Sequence, residues 1–153
     1  HLSAKTADEL KKELGYTEED STVIMLQIIT FCILNLMRVF ARQNVSVDKG
    51  RNAIELILKD VAKSLAPDQA SVDSVYRTIN QMTEEWIKTY ARLPLGEKMS
   101  TQAGTLIWEY SKLIMSTAGK NSTADLHSTL LVSSRIVNAN NAIETNDLIA
   151  ALR

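Results

Sequence analysis

Residues 23–40, VIMLQIITFCILNLMRVF, constrain this chain more than any other stretch. They are eighteen residues with four clearly polar side chains, Gln27, Thr30, Asn35 and Arg38. A run this apolar can cross a bilayer, meet a partner or pass through the interior of a folded protein. On a helix that turns about 100° per residue, Asp20, Gln27, Thr30, Asn35, Arg38 and Arg42 fall in one stripe. A lipid-facing helix has no use for such a stripe, whereas a packed helix can turn it to solvent or to a polar contact. The run is therefore expected to be a buried helix, with a homodimer interface, or a membrane-embedded segment over 22–40, as the alternatives.

The rest of the chain supplies elements that would need such a helix. Only five glycines and two prolines interrupt 153 residues, no window alternates like a strand, and the prevailing period is helical. A capping box in TADE, Thr6 with Glu9, predicts a first helix that stops before Gly15. Its narrow stripe of Ala7, Leu10 and Leu14 marks residues 1–16 as a peripheral helix. TEED at 17–20 predicts the start of the long apolar helix, about 18–43. NVSVDKG reads as a connection, and a third helix is expected from about Arg51, with Ile54, Ile57, Leu58, Val61, Ala62 and Leu65 inward and Pro67 as its end. A fourth, roughly 72–92, repeats Val72, Val75, Tyr76, Ile79, Met82, Trp86, Ile87 and Tyr90 at helical spacing, with Asp73–Arg77 and Glu84–Lys88 on its outer face. LPLGE forms a turn. A fifth helix, about 100–118, is expected to bury Ala103, Leu106, Ile107, Tyr110, Leu113 and Ile114 before Gly119 ends it. A sixth runs from after Asn121 to about Val137, with Leu126, Leu130, Ser133, Ile136 and Val137 inward. Asn138, Asn140, Asn141 and Asn146 mark a helix break, and LIAALR a short last helix. The expected fold is all-α: a single domain, 1–153, of five to six main helices bundled around the central apolar one.

Composition bounds the function by exclusion. A 45% apolar, 23% charged chain of net charge −1 is an ordinary globular sequence with no general electrostatic pull on nucleic acid or anionic lipid. An aromatic content of 5% leaves no base-stacking surface. Cys32 is the only cysteine, so no internal disulfide and no multi-thiolate metal site can form. A reducing, cytoplasmic setting is expected from that, and residues 1–20, charged and polar, are unlike a secretion signal.

Catalytic patterns are sparse. The histidines are His1 and His127, and His127 follows Asp125 by two residues, a spacing that puts them on different helix faces. There is no Glu-x-x-His or His-Glu-x-x-His pattern for a metal, no nucleophile elbow beside Ser128, Ser133 or Ser134, and no phosphate loop in DKGRN. No enzyme activity, metal or cofactor is expected. Across residues 38–63 stand six basic and three acidic side chains, against three and six across 1–20. The expected function is that of a non-enzymatic interaction or regulatory domain, offering a helix face or groove to another protein or to itself. Arg38, Arg42, Arg51 and Trp108 are the candidate contact residues. In the alternative, Tyr76, Met82, Trp86 and Tyr110 line an apolar cavity for a small ligand beside the long helix.

Overall fold

The computed structural model describes residues 2–96, 103–122, 124–143 and 145–152. Those residues form seven α-helices and one 3-10 turn, with no strand among them: α1 Leu2–Leu14, α2 Glu18–Arg42, α3 Val47–Leu65, the turn Gln69–Ser71, α4 Val72–Tyr90, α5 Leu106–Thr117, α6 Leu126–Asn141 and α7 Thr145–Leu152. The protein is all-α. By contacts the chain divides into two compact units, one of residues 1–35 and 92–143, the other of 36–91 and 144–153. The 25-residue α2 belongs to both. By length and composition α2 could cross a bilayer, and 61% of its most apolar window is buried.

The first unit is assembled from α1, the first part of α2, α5 and α6. Thr17 and Asp20 start α2 as the sequence predicts: the Asp20 amide donates to Thr17 Oγ1 at 3.2 Å, and Thr17 Oγ1 donates to Asp20 Oδ2 at 2.7 Å. Beyond them Ile24, Leu26, Ile28, Phe31, Ile33 and Leu34 are buried. The middle of the polar stripe of α2 is turned inward, with Gln27 and Thr30 buried and Asn35 half-buried, while Arg42 at its end is exposed. Gln27 Nε2 donates to Thr117 Oγ1 at 2.8 Å, Asn35 Nδ2 to Asn140 Oδ1 at 3.0 Å, and Thr30 Oγ1 back to the Leu26 carbonyl at 2.9 Å. Phe31 meets Tyr110 edge-on, ring centroids 5.5 Å apart.

Between α5 and α6 the buried hydroxyls of Ser111 and Ser133 lie 2.7 Å apart, and each also reaches its own helix, at the Ile107 and Thr129 carbonyls. Two protons can make two of these three contacts at a time: one hydroxyl donates to the other, and the second donates to the carbonyl of its own helix. Small side chains at these positions let the two helices approach closely. Across α1 and α6, Arg135 holds Glu13 at 2.6 Å and Glu9 at 3.2 Å, and Tyr16 donates its hydroxyl to the Ala7 carbonyl.

Several boundaries differ from expectation. α1 runs through Thr6 from Leu2, because Leu2, Ala4 and Lys5 are good helix formers and nothing there breaks the helix. Its narrow apolar stripe is packed inward: Ala7, Leu10 and Leu14 are all buried. α5 starts only at Leu106, where Thr105 Oγ1 accepts from the Trp108 amide and the Pro94 and Leu95 carbonyls accept from the amides of Leu106 and Ile107. Ala103 is consequently an exposed turn residue. Residues 97–102, the expected first turn of that helix, lie outside the described residues. Gly96 has φ +89°, and a Cβ there would stand 2.9 Å from the Thr105 Cβ, so this turn requires glycine. α6 starts after Asp125, whose Oδ1 accepts from the Ser128 amide at 2.9 Å. It continues through Asn138 and Asn140 because Ala139 is buried and Asn140 is paired. Its inward line is Thr129, Val132, Ser133, Ile136 and Ala139, and Leu126 is 49% exposed.

In the second unit α3 and α4 form a helical hairpin, and α2 contributes Leu36 to Arg42. α3 begins at Val47, four residues earlier than expected, since Ser46 caps it and Asp48 sits in its positively polarised first turn. α7 belongs here too: Leu148, Ile149 and Leu152 join Leu36, Phe40 and Ala53 in one apolar cluster.

Candidate functional site

The early start of α3 positions the main candidate site. Gly50 thereby becomes a helical residue whose absent side chain leaves room for an aromatic ring: a Cβ on it would lie 3.1 Å from Cδ2 of Phe40. With that ring set close to the α3 backbone, a groove opens between the end of α2, the start of α3 and the middle of α4. It encloses about 370 Å³. Phe40, Gly50, Leu58 and Thr83 are its buried residues, Ile54 and Ile87 are half-buried, and Met37 and Val47 form an exposed apolar rim. Val47 is 74% and Met37 39% exposed, so two of the four exposed large apolar side chains described stand at this one place. Polar groups are few: Ser46, Arg51, Asn80, Thr83 and Glu84. Glu84 accepts from Asn80 Nδ2 at 2.9 Å, whereas Arg51 has no hydrogen-bond or ion-pair partner among the described residues.

The residues singled out from sequence are dispersed. Arg51 lines the groove. Arg38 sends Nη2 to the Ala91 carbonyl, 3.4 Å away beyond the end of α4. Partial burial, and then the charge of Arg42, lower its guanidinium pKa. Arg42 is exposed one turn further on. Trp108 is half-buried on α5, in the other unit. Of the alternative set, Tyr110 is fully buried in the first unit against Phe31. Tyr76, Met82 and Trp86 are half-buried on α4 and outside the groove lining. The Lys59 ammonium stands 5.8 Å from the Tyr76 ring centroid and pairs with Glu55 at 2.6 Å. The groove residues Met37, Val45, Val47 and Gly50 were not among the candidates. For Val47 and Gly50 the signal is the serine–acid cap Ser46-Val47-Asp48, which places both on a helix instead of in a connection.

Neither Cys32 nor His127 lines the groove. Burial pushes the Cys32 thiol up to about 12, which removes its thiolate at neutral pH. His127 is exposed near the start of α6, and the neighbouring Asp125 carboxylate is engaged by Ser128. Among the described residues no three His, Cys, Asp or Glu side chains converge to hold a metal ion. Compared with protein-family models, with curated proteins and with solved structures, the chain matches none.

Proposed function

We propose that this chain is a non-enzymatic, all-helical interaction domain that receives an apolar helix face of another protein in the groove of α2, α3 and α4. The observation that carries this is the exposed apolar rim of Met37 and Val47 over the apolar groove formed with Phe40, Ile54 and Ile87. Exposed large apolar side chains clustered at a concave site mark binding surfaces more often than scattered ones do. Neither Cys32 nor His127 is among the residues that line the groove, which supports a binding role over a catalytic one. A soluble, cytoplasmic chain is part of the proposal, with α2 as the helix on which the others assemble. The paired Gln27 and Asn35 support a packed α2.

The test is a titration of a fluorescent amphipathic helical peptide into the intact chain, followed by anisotropy. Saturable binding that Ile54→Arg abolishes, with the circular dichroism spectrum unchanged, is the expected outcome. Equal binding by the variant would remove the groove from the account. A second reading, a receptor for a small apolar molecule, is favoured by the groove volume, which falls within the roughly 300–1,000 Å³ of ligand sites. Calorimetry with a medium-chain fatty acid distinguishes it: that reading expects stoichiometric binding, and the first expects none.

A further inference from the structure

We infer that α7 is exchanged between two copies of this chain: α6 and α7 join into one helix through residues 142–144, and each copy's α7 takes the seat that the other's has left. The inference goes beyond the function proposed above and does not depend on what fills the groove.

It starts from how α6 ends. Each earlier α-helix is followed within four residues by one that stops a helix. Gly15 after α1 and Gly119 after α5 have φ of +70° and +67°, and Asn44 after α2 has φ 54°. Pro67 follows α3, and Pro94 follows α4. After α6 come Ala142, Ile143 and Glu144, and neither glycine nor proline occurs from residue 120 onward. Ala142 keeps right-handed helical angles, φ −80° and ψ −3°, and its amide donates to the Asn138 carbonyl at 3.1 Å, the partner it has in an unbroken helix. Nothing in the local sequence forces the break.

What holds α7 apart is its seat. Leu148, Ile149 and Leu152 pack with Leu36, Phe40 and Ala53, and Lys49 Nζ donates to the Leu152 carbonyl at 2.7 Å. α6 belongs to the first unit and α7 to the second. Within one copy, seating α7 interrupts the ladder of i→i−4 hydrogen bonds at the end of one helix and the start of the next. Joining the helices restores the ladder, and the axis of α6 then sets where α7 points. An exchanged pair satisfies both demands: the helix is continuous, and each seat holds the same side chains as before. Complementarity needs no new surface, because the segment and its seat already fit. The loss of independent motion on association opposes exchange, so it depends on concentration.

The experiment refolds the intact chain from denaturant at low and at high protein concentration and measures mass by light scattering on a sizing column. A dimer of twice 17.0 kDa that grows with concentration is expected. Its construction is read by isotope mixing. Ala151→Lys places an amine on an exposed position of α7, next to the Leu152 carbonyl that Lys49 reaches. In a dimer refolded from equal amounts of light and 15N-labelled chain, about half of the amine cross-links between Lys49 and position 151 should join light to heavy. Thr145→Pro suits the first turn of a separate α7 and is excluded from the interior of a joined helix, so it should abolish the dimer. Asn146 is exposed, and Asn146→Ala, a better helix former, should raise the dimer fraction. A monomer under every condition overturns the inference. So does a dimer whose cross-links stay within one chain, since each α7 is then on its own seat, and so does a dimer that Thr145→Pro leaves intact. Should Thr145→Pro lose its helical circular dichroism, Asn146→Ala decides: an unchanged dimer fraction overturns the joined helix and the exchange with it.

Discussion

Gln27 is the residue whose energetics are least expected. Its amide nitrogen is satisfied by Thr117, yet its side-chain oxygen is buried without a hydrogen-bond partner among the described residues. An orphaned buried acceptor costs about 1–3 kcal/mol, more than one neutral hydrogen bond returns. Gln27→Leu should therefore leave stability unchanged or raise it by up to about 2 kcal/mol, read as a shift in the urea midpoint. A loss would show that the oxygen has a partner. Cys32 offers a second check, since a thiol held near 12 exposes almost no thiolate at pH 8. Its labelling by a maleimide should follow the opening of the fold rather than mixing, and denaturant should accelerate it steeply. The polar stripe that contains Gln27 is legible in the sequence as a face of α2. Its partners are not. Thr117 and Asn140 stand 90 and 105 positions away from the residues they meet, and periodicity reports which face is polar without saying what lies against it.

Helix ends carry most of the disagreement between sequence and structure, and most of its causes are caps. The Thr17–Asp20 box is read correctly because both partners lie within one turn. The similar TADE box predicts a start that α1 passes through, since a capping pattern acts only where the chain before it leaves the helix. α3 shows the converse: NVSVDKG reads as a connection, yet its Ser46 is a valid cap and the helix starts inside it. Gly50 is there for Phe40, and Gly50→Val should cost about 1–3 kcal/mol by crowding that ring while also weakening peptide binding at the groove. A chemical denaturation curve and the anisotropy titration measure the two effects separately. Asp125 gives the pH counterpart. Hydrogen bonds from Ser128 hold its carboxyl below the ordinary 3.8. The ionised cap therefore stabilises the fold above that ordinary value, and its contribution fades as pH falls through the lowered one. Asp125→Asn, which keeps an acceptor but cannot titrate, should flatten the acid limb of thermal stability below about pH 4. An identical acid limb in the two proteins would show that this cap contributes nothing to it.

For the whole molecule, the all-α class follows from scarce glycine and proline, visible in composition, and from a helical period, visible in the order of the residues. The division of the chain into two units is not, because it depends on which helices touch. The units are unequally packed. In the second, the buried apolar side chains described are Leu36, Phe40, Ala53, Leu58, Ala62, Ile79 and Ile149, while the first holds the larger share along α1, α2, α5 and α6. Amide exchange should accordingly be slowest over 24–34, 107–115 and 129–139 and faster by orders of magnitude in α3, α4 and α7. Uniform protection would contradict that inequality. α2 alone runs unbroken from one unit into the other. Starting a helix is its unfavourable step, with a statistical weight near 10⁻³, whereas each further residue adds at roughly even odds. When the less packed unit opens, residues 36–42 remain attached to a helix held in place by the segment before them. Their return is elongation from an existing end, so this stretch never meets the nucleation barrier that α3 and α4 must cross each time they reform.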